Sequence, residues 1–320
     1  MTVGPGPAEP TADPFTGEPV DLGPIDQGPA GEAASPAFHE LVPADVLVER
    51  ISGGHLFTEG PVWDARRGRL LWSDIAGDTT WSWSAASGRA VFRHPSGKAN
   101  GLTFDREGRL VAAGWTSRCV WRLEADGRQT VLATHLDGVP LGTPNDIVVR
   151  SDGLIFWTDG RSGVRHPGFE TRHDLQIHRR SDVVARWDPR TGETAVATGE
   201  AGRGNGLAFS PDERTLYVND SAARNLRAFD VTSSGDLVNG RVHAERTGSA
   251  TKVDRRGNIY CTGPGGIHIM DAAGAFLGRI RIPEKGSNLA WGEAGWQTLF
   301  VTSGRSVYRV RVLAQGIPVT

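Results

Sequence analysis

A short sequence phrase recurs along the chain. It starts with a residue that has a side-chain oxygen atom, and a small residue and two apolar residues usually follow. The lead residues of these phrases are Glu59, Asn100, Asn145, Asn205, Ser249 and Asn288. They lie about 40 to 60 residues apart, a spacing typical of the blades of a β-propeller. If each begins the innermost strand of a blade, all should point toward one central channel. Such a ring of oxygen atoms predicts a Ca²⁺ site, because Ca²⁺ takes hard oxygen ligands.

The segments between these residues alternate between short strand patterns and turn signals, and none shows a sustained 3.6-residue stripe of apolar residues. Residues 105–108, Asp-Arg-Glu-Gly, are one of several sequences typical of a type I turn. The six phrases therefore predict an all-β protein, a six-bladed β-propeller. We assign residues 37–320 to this domain. Residues 46–51 alternate like a strand, and we expect them to form the outer strand of the last blade and close the ring.

Two segments depart from the blade pattern. Residues 1–36 are rich in Pro, Gly, Ala and acidic residues and have few large apolar side chains, which predicts a flexible N-terminal arm. Residues 160–182 carry many Arg and His residues and interrupt the third predicted blade. We interpret them as a loop near one mouth of the channel.

Composition restricts the partners of the protein. A formal net charge of −2 gives no basic footprint for nucleic acid. No apolar run has the length of a membrane-spanning helix, and the first residues lack the pattern of a secretory signal. We therefore expect a cytoplasmic protein with a small-molecule substrate and no nucleic-acid or membrane partner, its oligomeric state left open. Cys119 and Cys261 are expected to be free buried thiols.

The ordered set of phrases resembles the gluconolactonase-like family, which also contains senescence marker protein and luciferin-regenerating enzyme. The segments that carry the resemblance are residues 57–63, 143–146, 205–212 and 260–266. The resemblance implies a six-bladed propeller with a divalent metal, usually Ca²⁺, at the base of the channel. It also implies the metal ligands, which match Glu59, Asn145 and Asn205 in this sequence.

The fourth metal ligand of the family, an aspartate that opens the fifth blade, corresponds to Ser249. In the family that carboxylate is also the favoured base or nucleophile, so its loss affects cation affinity and chemistry together. With fewer charged ligands we expect Ca²⁺ to bind weakly or not at all, and another divalent cation is the alternative. Candidate catalytic residues are Asp146, as acceptor of a proton from water, and Ser249, which would need a base within reach.

Further positions are expected to line the substrate pocket: Asn100, Trp115, Thr143, Arg161 and Asn288. Gly114-Trp115 replaces a Glu-His pair that is usual in the family, and Thr143 stands where some members carry a substrate-binding arginine. Arg161 lies where a Pro-Pro-Tyr run is common. For the four lead asparagines, capping of a turn is the alternative to a role in the site.

Three functions are compatible with these residues. The leading hypothesis is a metal-dependent hydrolase of the lactonase type, which acts on a cyclic ester in the channel and uses the cation to polarise the carbonyl. The alternative enzyme is a non-hydrolytic isomerase or cyclase of specialised metabolism on the same scaffold. The third hypothesis is a binding propeller without catalysis, since fold alone does not determine function.

Overall fold

Short antiparallel strands joined by tight turns make up the computed structural model, which describes residues 30–161 and 181–319. Six sheets of four or five strands are arranged as the blades of a six-bladed β-propeller, as the sequence predicted. The predicted arm, through residue 29, and most of the predicted loop, residues 162–180, lie outside the described residues.

The described chain begins with two short strands that join later blades. They are β1 (Gly31–Ala33) and β2 (Val48–Ser52), with a 3-10 helix at Pro36–Glu40 between them.

The first three blades each contain four strands in chain order from the channel outward. Blade 1 contains β3 (Thr58–Asp64), β4 (Arg69–Asp74), β5 (Thr79–Ser84) and β6 (Gly88–Arg93). Blade 2 contains β7 (Ala99–Phe104), β8 (Leu110–Gly114), β9 (Cys119–Leu123) and β10 (Gln129–Ala133). A small hairpin follows, β11 (His135–Leu136) with β12 (Val139–Pro140). Blade 3 contains β13 (Thr143–Val149), β14 (Ile155–Gly160), β15 (Val183–Trp187) and β16 (Thr194–Thr198).

The last three blades follow the same order, and the final two include strands from the N-terminal region. Blade 4 contains β17 (Gly204–Phe209), β18 (Thr215–Asp220), β19 (Asn225–Val231) and β20 (Leu237–Glu245). Blade 5 contains β21 (Thr251–Val253), β22 (Ile259–Gly263), β23 (Gly266–Met270), β24 (Phe276–Arg281) and β1. Blade 6 contains β25 (Gly286–Gly292), β26 (Thr298–Ser303), β27 (Ser306–Arg311) and β2, with a 3-10 helix at Ala294–Trp296.

The two N-terminal strands close the ring. β2 pairs with β27, with Val48 opposite Val310, which confirms the closing strand predicted at residues 46–51. β1 pairs with β24, with Gly31 opposite Ile280, and adds a fifth strand to blade 5. Residues 31–33 were assigned to the arm from composition, but they form this strand because β24 offers an open edge. Phe38 is fully buried in the same region.

Burial decreases from the channel outward. β3 and β25 are buried along their whole length, whereas the outer strands β6 and β2 carry exposed residues. Each innermost strand is flanked by the two neighbouring blades, and apolar side chains fill the space between adjacent sheets. Trp63 of β3 stacks on Phe300 of β26 with 5.5 Å between ring centroids, in the cluster that joins blades 1 and 6.

The turn predicted at residues 105–108 is confirmed. The Asp105 carboxylate accepts hydrogen bonds from the backbone N–H groups of Glu107 and Arg109 at 3.1 and 2.8 Å. Gly108 takes a φ of 76°, which a residue without Cβ adopts readily. Among the residues that the structure describes, no helix is long and apolar enough to cross a membrane.

Candidate active site at the channel axis

The innermost strands contain a one-residue bulge close to the lead residues. In blade 1 Glu59 pairs with Ser73 and Val62 pairs with Leu71, so three steps along β3 oppose two along β4. The innermost strands of blades 2, 3, 4 and 6 have a comparable irregularity. A bulge changes the direction of the side chains next to it, which here are the candidate ligands.

The register corrects the expectation that the six lead residues are equivalent. Four of the lead residues share one position, which lies two residues before the point where regular pairing with the second strand of the blade begins. They are Asn100, Asn145, Asn205 and Ser249. Glu59 lies three residues before Val62, and Asn288 lies directly before Leu289. Strand pairing, rather than similarity of the local sequence, decides which way a side chain points. Relative to this shared position, Glu59 therefore lies one residue earlier in its strand and Asn288 lies one residue later.

A series of hydrogen bonds links the innermost segments of successive blades. In four places a hydroxyl group donates to a backbone carbonyl of the next blade, at 2.6–2.9 Å. The donor and acceptor residues are Ser73 and Asn100, Thr158 and Asn205, Ser249 and Ser287, and Ser287 and Thr58. Gly206 N donates to Ser249 O at 2.6 Å, and a Cβ at Gly206 would lie 2.5 Å from the Cα of Ala250. These contacts hold the bulged segments in place, which pre-organises the side chains that they carry.

Three carboxamide oxygens at the shared position are buried and have no hydrogen-bond partner: the Oδ1 atoms of Asn100, Asn145 and Asn205. A buried unsatisfied acceptor costs about 1–3 kcal/mol. Within residues 30–161 and 181–319, no group of three or more His, Cys, Asp or Glu side chains could hold a metal ion. A cation at the axis would therefore depend on amide oxygens, which Ca²⁺ accepts as ligands. The unsatisfied oxygens fit this requirement.

Glu59 supplies a buried carboxylate to the same region. Its Oε2 atom accepts a hydrogen bond from Gly60 N at 3.1 Å. Burial and the charge of Asp146 raise the pKa of Glu59 to about 7, against the lowering effects of the Gly60 N–H, the Asn288 side chain and Lys252. These interactions place the Glu59 carboxyl group near the side chains of Asp146 and Asn288. A bound cation would favour the ionised form of Glu59.

Asp146 has a different environment from Glu59. Its Oδ1 atom accepts a hydrogen bond from Ile147 N at 3.0 Å, and its Oδ2 atom lies 3.4 Å from Leu207 N of blade 4. Lys252 Nζ of blade 5 lies 3.5 Å from the same Oδ2 atom. The carboxylate is almost fully buried, with the Lys252 ammonium beside it.

Ser249 and Asn288 engage the backbone rather than a reactive partner. The Ser249 hydroxyl donates to Ser287 O at 2.9 Å, so it is bound to a backbone carbonyl. The Asn288 Oδ1 atom accepts a hydrogen bond from Leu289 N at 2.7 Å. This contact lies within β25 and not in a turn, and the Asn288 side chain also forms a hydrogen bond with Glu59.

Three other predicted pocket residues, Trp115, Thr143 and Arg161, contact neighbouring side chains or backbone. Trp115 is buried and packs with Phe57 and Ile75 in an apolar cluster between blades 1 and 2. The Thr143 hydroxyl donates to Gly160 O at 2.9 Å. Arg161 Nε lies 2.8 Å from Asp182 Oδ1, an ion pair across the two ends of the predicted loop. Their roles toward a substrate remain proposals.

A buried Ser-His-Asp series lies where blade 6 meets blade 1. Ser52 Oγ is 2.7 Å from His55 Nε2, and His55 Nδ1 is 3.5 Å from Asp74 Oδ2. Burial opposes ionisation of Asp74, but hydrogen bonds from His55 and from the Phe57 and Leu56 N–H groups lower its pKa. The imidazole contacts Trp72 and Trp81 edge-on. We interpret this enclosed series as a structural connection at the closure of the ring.

The sequence analysis did not identify Lys252 as a residue of the site, although its ammonium group contacts Asp146. In the other blades the corresponding strand position is occupied by uncharged residues, namely Trp63, Thr103, Val148, Ala208 and Ala290. A single lysine at a position that is otherwise uncharged is a signal that the sequence contained. Its partner on blade 3 could not be recognised without the fold.

Known proteins resemble this chain in sequence and in structure. Residues 57–305 match the family described as SMP-30/Gluconolactonase/LRE-like region. A gluconolactonase from Zymomonas mobilis is 28% identical over 311 residues, which cover 88% of this chain and 86% of that protein. A pentonolactonase from Haloferax volcanii is 26% identical over 254 residues, which cover 77% of this chain and 80% of that protein.

Solved structures support the same assignment. The structure of a gluconolactonase from Xanthomonas campestris has a TM-score of 0.82 at 28% identity and covers 90% of this chain and 98% of that chain. Regucalcin from Agrobacterium tumefaciens, described as a calcium-binding protein, has a TM-score of 0.70 at 18% identity, which shows the shared fold alone. The family match extends from the first blade to the last. The chain therefore belongs to the SMP-30/Gluconolactonase/LRE-like family.

Proposed function

We propose that the protein is a lactonase-like hydrolase that opens a cyclic ester in the propeller channel with the help of a divalent cation, Ca²⁺ by ligand type. One observation carries the proposal: three buried carboxamide oxygens without partners occupy the same register position of the innermost strands of blades 2, 3 and 4, and a buried carboxylate lies one position away in blade 1. The gluconolactonase and pentonolactonase among its relatives support a lactone as the substrate class.

The residues have distinct roles in this reaction. Glu59, Asn145 and Asn205 would hold the cation, and the unsatisfied oxygen of Asn100 makes it a fourth candidate. When bound, the cation supplies Lewis acidity, which polarises the ester carbonyl. Asp146 accepts a proton from the attacking water as the water oxygen bonds to the carbonyl carbon. The ring C–O bond then breaks, and the departing alkoxide takes the proton back from Asp146.

Ser249 distinguishes this site from that of lactonases that carry an aspartate there. The site has one charged ligand candidate, Glu59, so we expect weaker cation binding than in such relatives. We also expect low activity on simple sugar lactones. Trp115 and the segment that begins at Arg161 would select the substrate, and they favour a larger and anionic ring. Other divalent cations remain candidates for the site.

An isomerase or cyclase on the same scaffold is the second candidate function. It is favoured by Ser249, whose hydroxyl is bound to a carbonyl where the family has a catalytic carboxylate. We also propose a cytoplasmic location, which the two free and buried cysteines, Cys119 and Cys261, support.

Proton release on a panel of lactones tests the proposed function. Hydrolysis of a lactone produces an acid, so a pH indicator follows the reaction directly. We expect ring opening of at least one lactone by the wild type and a loss of about a hundredfold or more in Asp146→Asn. Arg128→Met, at an exposed surface position, is the control and should keep wild-type activity. Conversion of a substrate without acid production and without sensitivity to EDTA would favour the isomerase or cyclase.

A further inference from the structure

Lys252 lies in the channel rather than between the blades or at the surface. It is the middle residue of β21, the innermost strand of blade 5, and its side chain is 20% exposed. Its ammonium group reaches Asp146 of blade 3 at 3.5 Å. Blade 4 stands between these two blades, so a side chain that joins them directly has to cross the interior of the ring.

The close approach of the backbones explains how this side chain reaches across. Gly206 of blade 4 lies so near to blade 5 that a Cβ there would be 2.7 Å from Ser249 O. Leu207 N of blade 4 lies 3.4 Å from the Asp146 atom that Lys252 contacts. The absence of a side chain at Gly206 lets the innermost strands of blades 4 and 5 approach this closely beside the contact between Lys252 and Asp146.

Lys252 also acts on Glu59. The positive charge of Lys252 favours the ionised carboxylate of Glu59, while the negative charge of Asp146 disfavours it. One ammonium group therefore lies within electrostatic range of both buried carboxylates at the axis. Any divalent cation held by Glu59 and the carboxamide oxygens would share this region with the ammonium, and like charges repel strongly at short range in a buried site.

We propose that Lys252 is an internal counter-charge that stabilises the metal-free channel and lowers the affinity of the site for divalent cations. The proposal rests on the cation site of the proposed function, but it concerns binding and not turnover. In the metal-free protein the ammonium partly balances Glu59 and Asp146. Cation binding then has to proceed against this charge. Ser249 acts in the same direction, because it leaves the site without a second acidic ligand.

Calcium titration of Lys252→Met tests the proposal without substrate. Isothermal calorimetry on EDTA-treated and dialysed protein should show Ca²⁺ binding about tenfold tighter than in the wild type, because a nearby positive charge has been removed. The melting temperature of the variant should be lower than that of the wild type in EDTA and should rise more on addition of Ca²⁺.

Three further variants keep the result interpretable. Lys252→Arg keeps the charge and should bind Ca²⁺ within about twofold of the wild type. Arg128→Met removes the same charge from an exposed position and should leave the affinity unchanged. Lys252→Gln repeats the test if the methionine variant does not fold, and it should also bind more tightly. Equal or weaker Ca²⁺ binding in the folded neutral variant, or no binding in either protein, would overturn the proposal. Absence of lactone hydrolysis alone would count against the proposed function and not against this inference.

Discussion

At the scale of single residues, the channel contains groups that are costly in the metal-free protein. The Oδ1 atoms of Asn100, Asn145 and Asn205 are buried without partners. Glu59 has a pKa of about 7, so its carboxyl group is divided between both protonation states near neutral pH. A bound divalent cation would relieve both costs, and ligand binding to the folded state alone stabilises a protein. The same four residues therefore link stability to cation binding.

Glu59 predicts a pH dependence of stability in EDTA-treated protein. Because its pKa is raised from 4.5 to about 7, the folded state favours the protonated form. The stabilisation is complete below about pH 4.5 and is lost as the pH rises through about 7, an effect of about 3 kcal/mol. Urea unfolding at about pH 5 and about pH 8 measures it.

The Glu59→Gln variant should lose this part of the pH dependence, whereas Glu107→Gln, at an exposed position, should keep it. Ca²⁺ binding should follow the opposite trend and tighten as the pH rises, because it requires the ionised carboxylate. Identical pH slopes for the wild type and Glu59→Gln would show that Glu59 is not the titrating group.

Ser249→Asp should tighten Ca²⁺ binding by about tenfold or more, because ligand charge governs affinity in oxygen cages. Ser249 occupies the same register position as three asparagines with unsatisfied oxygens, so a carboxylate there would face the same region. Ser249→Asn is the matched control, since it adds a neutral oxygen ligand of similar size. Calorimetry that finds the wild-type affinity in Ser249→Asp would refute the position assigned to Ser249.

At the scale of strands and turns, local patterns were predictable and contacts between blades were not. The Asp-Gly turns and the closing strand have signals within a few residues, and the structure contains the turn at residues 105–108 and pairs β2 with β27. The bulges depend on pairing between strands, so the different register of Glu59 and Asn288 was not visible in the sequence. The contact between Lys252 and Asp146 spans two blades and follows only from the closed ring.

The segment that joins β2 to blade 1 depends on Asp74. This buried carboxylate accepts hydrogen bonds from the N–H groups of Phe57, Leu56 and Gly77 at 2.9–3.3 Å and faces His55. Asp74→Ala would remove the acceptor of these three N–H groups, of which the Phe57 N–H is buried, at a cost of about 3 kcal/mol. Chemical denaturation should show this loss, and Asp126→Ala at an exposed position should change stability little. Equal, small effects of both substitutions would contradict the role given to Asp74.

At the scale of the whole molecule, the ring is closed by strands from both ends of the described chain. β2 completes blade 6 and β1 extends blade 5. Glu32 in β1 lies 2.6 Å from Arg279 of β24, which adds an ion pair to this edge. The arm predicted at residues 1–36 therefore includes residues that form β1.

Limited proteolysis distinguishes the predicted arm from the closed ring. Chymotrypsin should cut rapidly after Phe15 and Leu22, which lie in the predicted arm, and should spare Phe38, which is fully buried in the core cluster beside β1, because buried and packed segments resist cleavage. Mass spectrometry of the products identifies the sites. Cleavage after Phe38 at the same rate as after Phe15 would contradict the packing of this N-terminal region against blade 5.

Cation-dependent ring opening of a lactone by the wild type and by Glu59→Gln tests the central claim most directly. Acid production should be followed in EDTA and after Ca²⁺ is restored. We predict that the wild type hydrolyses a lactone from the panel, that EDTA abolishes this activity and Ca²⁺ returns it, and that Glu59→Gln is at least about a hundredfold less active in Ca²⁺. Activity that survives EDTA, or that Glu59→Gln retains in full, would contradict a cation site at the channel axis.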